Sequence, residues 1–142
     1  MAVLDSPAAQ RNKVPIWNIL LPHIKRLLQE KKDVKILEIA GGTGVHASYF
    51  CEQIAELLAE YSADGLNCSL EWYATDPEAS SRQSINERLT SVKRSLGSDD
   101  SRLKIHPAVS ITLGENGVLE SDKQGDPSFI LKQGVDMIIW LV

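Results

Sequence analysis

One short segment, residues 36–44 (Ile-Leu-Glu-Ile-Ala-Gly-Gly-Thr-Gly), constrains the fold of this chain more than any other part of its sequence. Residues 34–39 are mostly apolar, which predicts a strand buried inside a parallel sheet. Glycine allows positive φ angles and lets a ligand approach the main chain, so residues 40–44 predict a tight turn that can cradle a ligand. An amphipathic helix follows, because its apolar residues keep the spacing of one buried face: Ala47, Phe50, Cys51, Ile54, Leu57, Leu58 and Tyr61.

The rest of the chain alternates between strand and helix patterns. A second strand is predicted over residues 68–75, a polar helix opens at Asp76, and two more strands are predicted over residues 103–113 and 135–142. This alternation favours an α/β fold, with a mostly parallel Rossmann-like sheet of about four strands and helices on both faces. At 142 residues, the chain is expected to form a single partial domain of that kind, residues 1–142.

The two remaining segments lack a regular pattern. Residues 1–12 are predicted to be an irregular N-terminal arm, because Ser6-Pro7 favours an extended or turn conformation. Pro15 is then predicted to start a helix, and Pro22 is predicted to kink or split it. Residues 114–134 are rich in Gly, Asp, Ser and Gln and are predicted to form a long loop.

Composition and charge exclude several classes of function. The net charge is −4 and no long basic stripe is present, so the sequence carries no strong signal for nucleic-acid binding. No apolar run approaches the ~18 residues of a membrane span. The N-terminus does not resemble a secretory signal, and two cysteines make neither a disulfide framework nor a metal cluster. A cytoplasmic location without a metal is therefore expected.

Two classes of cofactor suit the glycine segment. Residues 42–47 match the G-x-G-x-x-G/A pattern of dinucleotide-binding proteins. The acid Glu38 near the strand end, followed by small residues and Gly-Thr-Gly, matches the motif of S-adenosylmethionine (SAM)-dependent methyltransferases better. In both classes an acid after the second strand accepts hydrogen bonds from ribose hydroxyls, and Asp76 stands there. The structural alternatives are that Asp76 is only a helix N-cap and that Glu38 only caps the turn.

Three stretches resemble the methyltransferase-like 26 family: residues 6–16, residues 36–47 and residues 72–77. The resemblance implies a class I SAM-dependent methyltransferase fold with SAM as its cofactor and an unknown methyl acceptor. It implies no metal and no identified catalytic residue, and His46 is expected to pack rather than to act as a base. The residues expected to bind the cofactor are Arg11, Asn12, Glu38, Ala40, Gly42, Gly44 and Asp76.

The sequence departs from that family at its C-terminal end. The predicted fourth strand ends the chain, whereas the family continues into further strands. Two alternatives therefore stand beside an active methyltransferase. One is a non-catalytic, truncated chain that binds SAM weakly or a protein partner, with self-association through the exposed sheet edge at residues 138–142. The other is half of an NAD-dependent oxidoreductase domain.

Overall fold

A computed structural model describes residues 3–96, 102–113, 119–120 and 134–141 of the chain. The elements of its main sheet and their connections follow in the order α1 (Pro7–Lys31), β1 (Asp33–Ile39), α2 (Val45–Ala63), β2 (Ser69–Thr75), α3 (Ala79–Leu96), β3 (Leu103–Val109) and, after two short strands, β6 (Met137–Trp140). The four long strands pair in the order β3-β2-β1-β6, and every pairing is parallel. The prediction of an α/β fold with a partial Rossmann-like sheet of four strands is confirmed.

Helix α1 begins earlier than its sequence indicates. The Ser6 hydroxyl accepts a hydrogen bond from the backbone N–H of Ala9 at 3.2 Å, which caps the helix at its N-terminus. Pro7 follows in the first turn, where a missing N–H costs nothing. The prediction of an irregular arm over residues 1–12 is therefore wrong from Pro7 onwards, and Pro15 does not start the helix.

Both internal prolines lie within the single helix α1, so the predicted split at Pro22 does not occur. Proline inside a helix removes a hydrogen bond and crowds the preceding turn. The apolar face of α1 offsets that cost, because Trp17, Ile24 and Leu28 are buried in the main core. Trp17 stacks on Phe50 of α2 with ring centroids 5.8 Å apart.

All three described helices pack against the same face of the sheet. The main core joins residues of α1, α2 and α3 to strand residues such as Val34, Ile36 and Trp72. A smaller cluster on the other face contains Leu37 and Ile39, which alternate with those strand residues, and no residue of a described helix. Within the described ranges, the prediction of helices on both faces is thus confirmed for one face only.

The chain after β3 forms a short hairpin. Strand β4 (Thr112–Leu113) pairs antiparallel with β5 (Leu119–Glu120). Apart from β5 and Gly134, the loop predicted over residues 114–134 lies outside the described residues. The cysteines Cys51 and Cys68 are both buried and unbridged. Among the described helices, none combines the length and the apolar character needed to cross a bilayer.

Candidate functional site

The candidate site lies where the order of the strands reverses. From β1 the chain crosses through α2 to β2 on one side, whereas β6 pairs with the other side of β1. In open α/β sheets, ligands bind outside the carboxyl ends of the strands at such a reversal point. The glycine loop, residues 40–44, leaves β1 at this end and enters α2.

Three residues of the glycine loop have positive φ angles: Ala40 at 56°, Gly42 at 62° and Gly44 at 87°. Gly44 is required for a second reason, because a Cβ there would lie 2.8 Å from the Cα of Ile85 in α3. A Cβ on Gly42 would meet no atom within 4 Å, so only the backbone angle favours glycine at that position. The backbone near Gly42 is therefore open to a ligand.

Glu38 lies directly under the glycine loop. Its side chain is on the helix-covered face of β1, and the residue is only 2% exposed. Its Oε1 has no hydrogen-bond partner, and a Cβ on Gly41 would lie 3.0 Å from that oxygen. Any larger side chain at position 41 would therefore require Glu38 to shift.

The carboxyl group of Glu38 holds its proton unusually strongly. Burial first, and the nearby carboxylate of Asp76 second, raise its pKa from 4.5 to about 8. The Trp72 indole N–H lies near the carboxyl group and lowers its pKa in part, although its geometry does not make it a hydrogen-bond donor to Glu38. Near neutral pH the site thus contains a neutral buried acid with an unsatisfied oxygen, and such groups need an explanation in a native protein.

Asp76 joins the end of β2 to the glycine loop. Its Oδ2 accepts a hydrogen bond from the Gly42 N–H at 2.9 Å, and its Oδ1 accepts one from the Glu78 N–H at 2.9 Å. The residue is 6% exposed. A carboxylate has about four acceptor positions, so Asp76 retains acceptor capacity for a ligand hydroxyl. Through these two contacts Asp76 also holds the glycine loop and the first residues of the segment that leads from β2 to α3.

Two buried side chains hold this arrangement in place. Arg82 of α3 donates from Nη1 to the carbonyl oxygens of Asp76 at 2.9 Å and of Pro77 at 2.8 Å. The Thr75 hydroxyl donates to the Glu38 carbonyl oxygen at 2.7 Å, which ties the ends of β1 and β2 together. Sequence reasoning missed both residues, because their partners are main-chain carbonyls that come close only after the sheet has formed.

The N-terminal candidates lie on α1. Asn12 reaches the first turn of α2, where its Oδ1 is 2.7 Å from Nε2 of His46. This contact requires the His46 tautomer with a proton on Nε2. Burial lowers the pKa of His46, and its ring stacks on Phe50 at 5.6 Å, in keeping with a packing role. Arg11 is exposed on α1, and its side chain makes no hydrogen bond or ion pair with the described residues.

The structure therefore brings together most of the predicted residues. Glu38, Ala40, Gly42 and Gly44 lie in or under one loop, Asp76 binds that loop, and Asn12 contacts the helix that follows it. Arg11 is not drawn into this group by any contact. The described residues contain no cluster of His, Cys, Asp or Glu that could hold a metal ion.

Comparison with known proteins places the chain in one family. Residues 4–115 match the model of a family described as protein of unknown function (DUF938), and the chain belongs to that family. No curated protein and no solved structure matches the chain. The matched range contains the glycine loop and Asp76 and ends within the stretch that follows β4.

Proposed function

We propose that this protein binds SAM at the glycine loop and is methyltransferase-like, with a methyl acceptor that the described residues do not identify. The observation that carries the proposal is the Glu38 carboxyl group, buried under the loop with one oxygen unpartnered. A cationic group of a ligand bound beside the loop would favour the ionised form of this carboxyl group through its charge. SAM carries a sulfonium and an ammonium group beside a nucleoside, and when bound it supplies a reactive methyl group.

The other residues fit the remaining parts of such a ligand. The main chain near Gly42 is open to close approach, and Asp76 has free acceptor positions for ribose hydroxyls. The N–H groups at the start of α2 face the same loop. Asn12 and His46 fix α1 against that helix and border the site on the N-terminal side. The resemblance of residues 36–47 and 72–77 to the methyltransferase-like 26 family supports the same ligand.

The charge of the ligand separates SAM from a nicotinamide dinucleotide. A cation favours the ionised form of Glu38, so its affinity should increase as the pH rises towards 8. A pyrophosphate beside the same loop favours the protonated form, so its affinity should decrease over the same range. The direction of the pH dependence is therefore a test of the ligand class that requires no knowledge of the acceptor.

Calorimetry with SAM and with NAD tests the proposal. We expect saturable binding of SAM, which Glu38→Gln and Asp76→Asn weaken about tenfold or more. Glu38→Gln removes a negative charge that favours a cation, and Asp76→Asn removes a charged acceptor for hydroxyls. Asp64→Ala is the matched control, since Asp64 is an exposed acid at the far end of α2. Binding of NAD alone, or of neither ligand by the folded wild-type protein, would refute the proposal.

A second candidate function is partner binding without catalysis, through the outer edge of β6, which pairs with no other strand among the described residues. Ile138 is 55% exposed and Trp140 is 51% exposed, although they lie beside Leu37 and Ile39 on the same sheet face. An edge strand with exposed apolar side chains favours pairing with another chain, including a second copy. The β6 edge adjoins the proposed SAM site, because Trp140 pairs with Ile39 directly before the glycine loop, so a partner on this edge would lie close to bound SAM.

A further inference from the structure

The N-terminal segment, residues 3–6, is attached to α3 by two side chains. The Ser84 hydroxyl accepts a hydrogen bond from the Leu4 N–H at 2.9 Å. Arg88 donates from Nη2 to the Leu4 carbonyl oxygen, and the same nitrogen lies 3.7 Å from the Asp5 carboxylate. Both polar groups of the Leu4 main chain thus have partners on one helix.

The same two side chains hold the glycine loop. The Ser84 hydroxyl donates to the Thr43 carbonyl oxygen at 2.7 Å, and Arg88 Nε donates to that oxygen at 3.2 Å. Thr43 lies between Gly42 and Gly44, so this carbonyl orients the part of the loop that is freest to rotate. Ser84 is fully buried. If its hydroxyl loses one partner, water cannot readily replace it.

We propose that Ser84 and Arg88 are positioning residues that couple docking of the N-terminal segment to the geometry of the glycine loop, and so set its affinity for ligand. The ligand part of this inference rests on the proposed function. The Ser84 hydroxyl accepts a hydrogen bond from the segment and donates one to the loop. Each of these hydrogen bonds polarises the hydroxyl and so strengthens the other. Arg88 donates to the carbonyl oxygens of the same two residues, Leu4 and Thr43, and reinforces this link.

The coupling gives the N-terminal segment a regulatory role. If docking of residues 3–6 increases ligand affinity by some factor, the ligand must increase docking by the same factor. A process that removes this segment from α3, such as cleavage or capture by another protein, would then weaken the ligand site from a distance. The contact between Asn12 and His46 provides a second link between the N-terminal region and α2.

Amide hydrogen exchange, resolved by NMR in the ligand-free protein, tests the coupling itself. Leu4→Pro removes the N–H that Ser84 accepts and leaves every contact of the loop intact. We expect the Gly42 and Gly44 amides to exchange at least threefold faster in Leu4→Pro and in Ser84→Ala. Ser91→Ala, which loses only a contact to Glu87 within α3, is the control and should change neither amide.

A Leu4→Pro protein whose segment is released but whose glycine-loop amides exchange at the wild-type rate would overturn the coupling. Release of the segment is read from the loss of nuclear Overhauser contacts between Asp5 and the Arg88 side chain, which lie together in the wild type. Leu4→Pro still decides the question if Ser84→Ala fails to fold, because it changes no residue of the core.

Calorimetry with SAM tests the consequence for the ligand. We expect Leu4→Pro and Ser84→Ala to raise the dissociation constant about tenfold, and SAM to slow exchange at the wild-type Leu4 amide by a similar factor. Full affinity in a released Leu4→Pro protein would refute the proposed effect on the ligand. Failure of the wild-type protein to bind SAM would refute the proposed function alone, because the exchange experiment contains no ligand.

Discussion

Replacement of Glu38 by glutamine should remove a large part of the pH dependence of stability between pH 5 and pH 8. In the folded protein the pKa of Glu38 is raised to about 8, whereas the ordinary value is 4.5. Between these values the folded chain retains a proton that the unfolded chain has lost. The free energy of unfolding must therefore fall as the pH rises through this range, and the fall ends above pH 8.

The size of the effect follows from the two pKa values. At about 1.4 kcal/mol per pH unit, the interval from 4.5 to about 8 corresponds to about 5 kcal/mol. That is a large fraction of the stability of an ordinary domain, about 5–15 kcal/mol. Glutamine cannot ionise, so Glu38→Gln should lack this loss and become the more stable protein at pH 8 and above.

Urea denaturation at pH 5, 6, 7, 8 and 9 provides the measurement. The difference between wild type and Glu38→Gln isolates the buried acid, because the other titrating groups are common to both. One of them is His46, whose lowered pKa makes stability rise with pH below about 6.5 and opposes the fall. Glu56→Gln, an exposed acid of α2, is the control and should follow the wild type. Parallel curves for wild type and Glu38→Gln would refute the reasoning.

Three further substitutions test the loop, its support and the sheet edge. Gly44→Ala should lower the free energy of unfolding by at least about 2 kcal/mol more than Gly65→Ala does, as measured by urea denaturation. Both glycines have a positive φ angle, but only at position 44 would a Cβ clash, because it would lie 2.8 Å from the backbone of α3. Equal costs would contradict the close approach. Arg82→Met should cost about 2 kcal/mol through the loss of two charged hydrogen bonds, and an unchanged denaturation midpoint would argue against that support. Trp140→Ser should reduce self-association in sedimentation velocity, whereas Ile19→Ser, at an exposed site on α1, should not; equal sedimentation of all three proteins would count against the edge.

The sequence predicted the part of the site that depends on local patterns. The apolar run of residues 34–39 and the glycines after it predicted β1, the loop and α2. These features are predictable because apolar residues favour burial and glycines favour tight turns. The burial of Glu38 could also be predicted, because the alternation of side chains along a strand places it on the same face as Val34 and Ile36. Its pKa could not, because that depends on how closely Asp76 and the helices approach.

The errors arose where two local signals competed. Ser6-Pro7 is both a turn signal and a good N-cap followed by a first helical position, and the structure uses it in the second way. The helix start was predicted at Pro15 instead, because proline is also common in the first turn of a helix. The roles of Ser84 and Arg88 could not be predicted, because their partners are main-chain groups of residues 41 to 84 positions away in the chain.

Binding of SAM by the wild-type protein, measured calorimetrically from pH 6 to pH 9, tests the central claim most directly. We expect saturable binding that strengthens towards pH 8, with release of a proton that is revealed by comparing buffers of different ionisation enthalpy. Glu38→Gln should bind more weakly and without that proton. Absence of binding by the folded protein, or binding that weakens as the pH rises, would contradict the account.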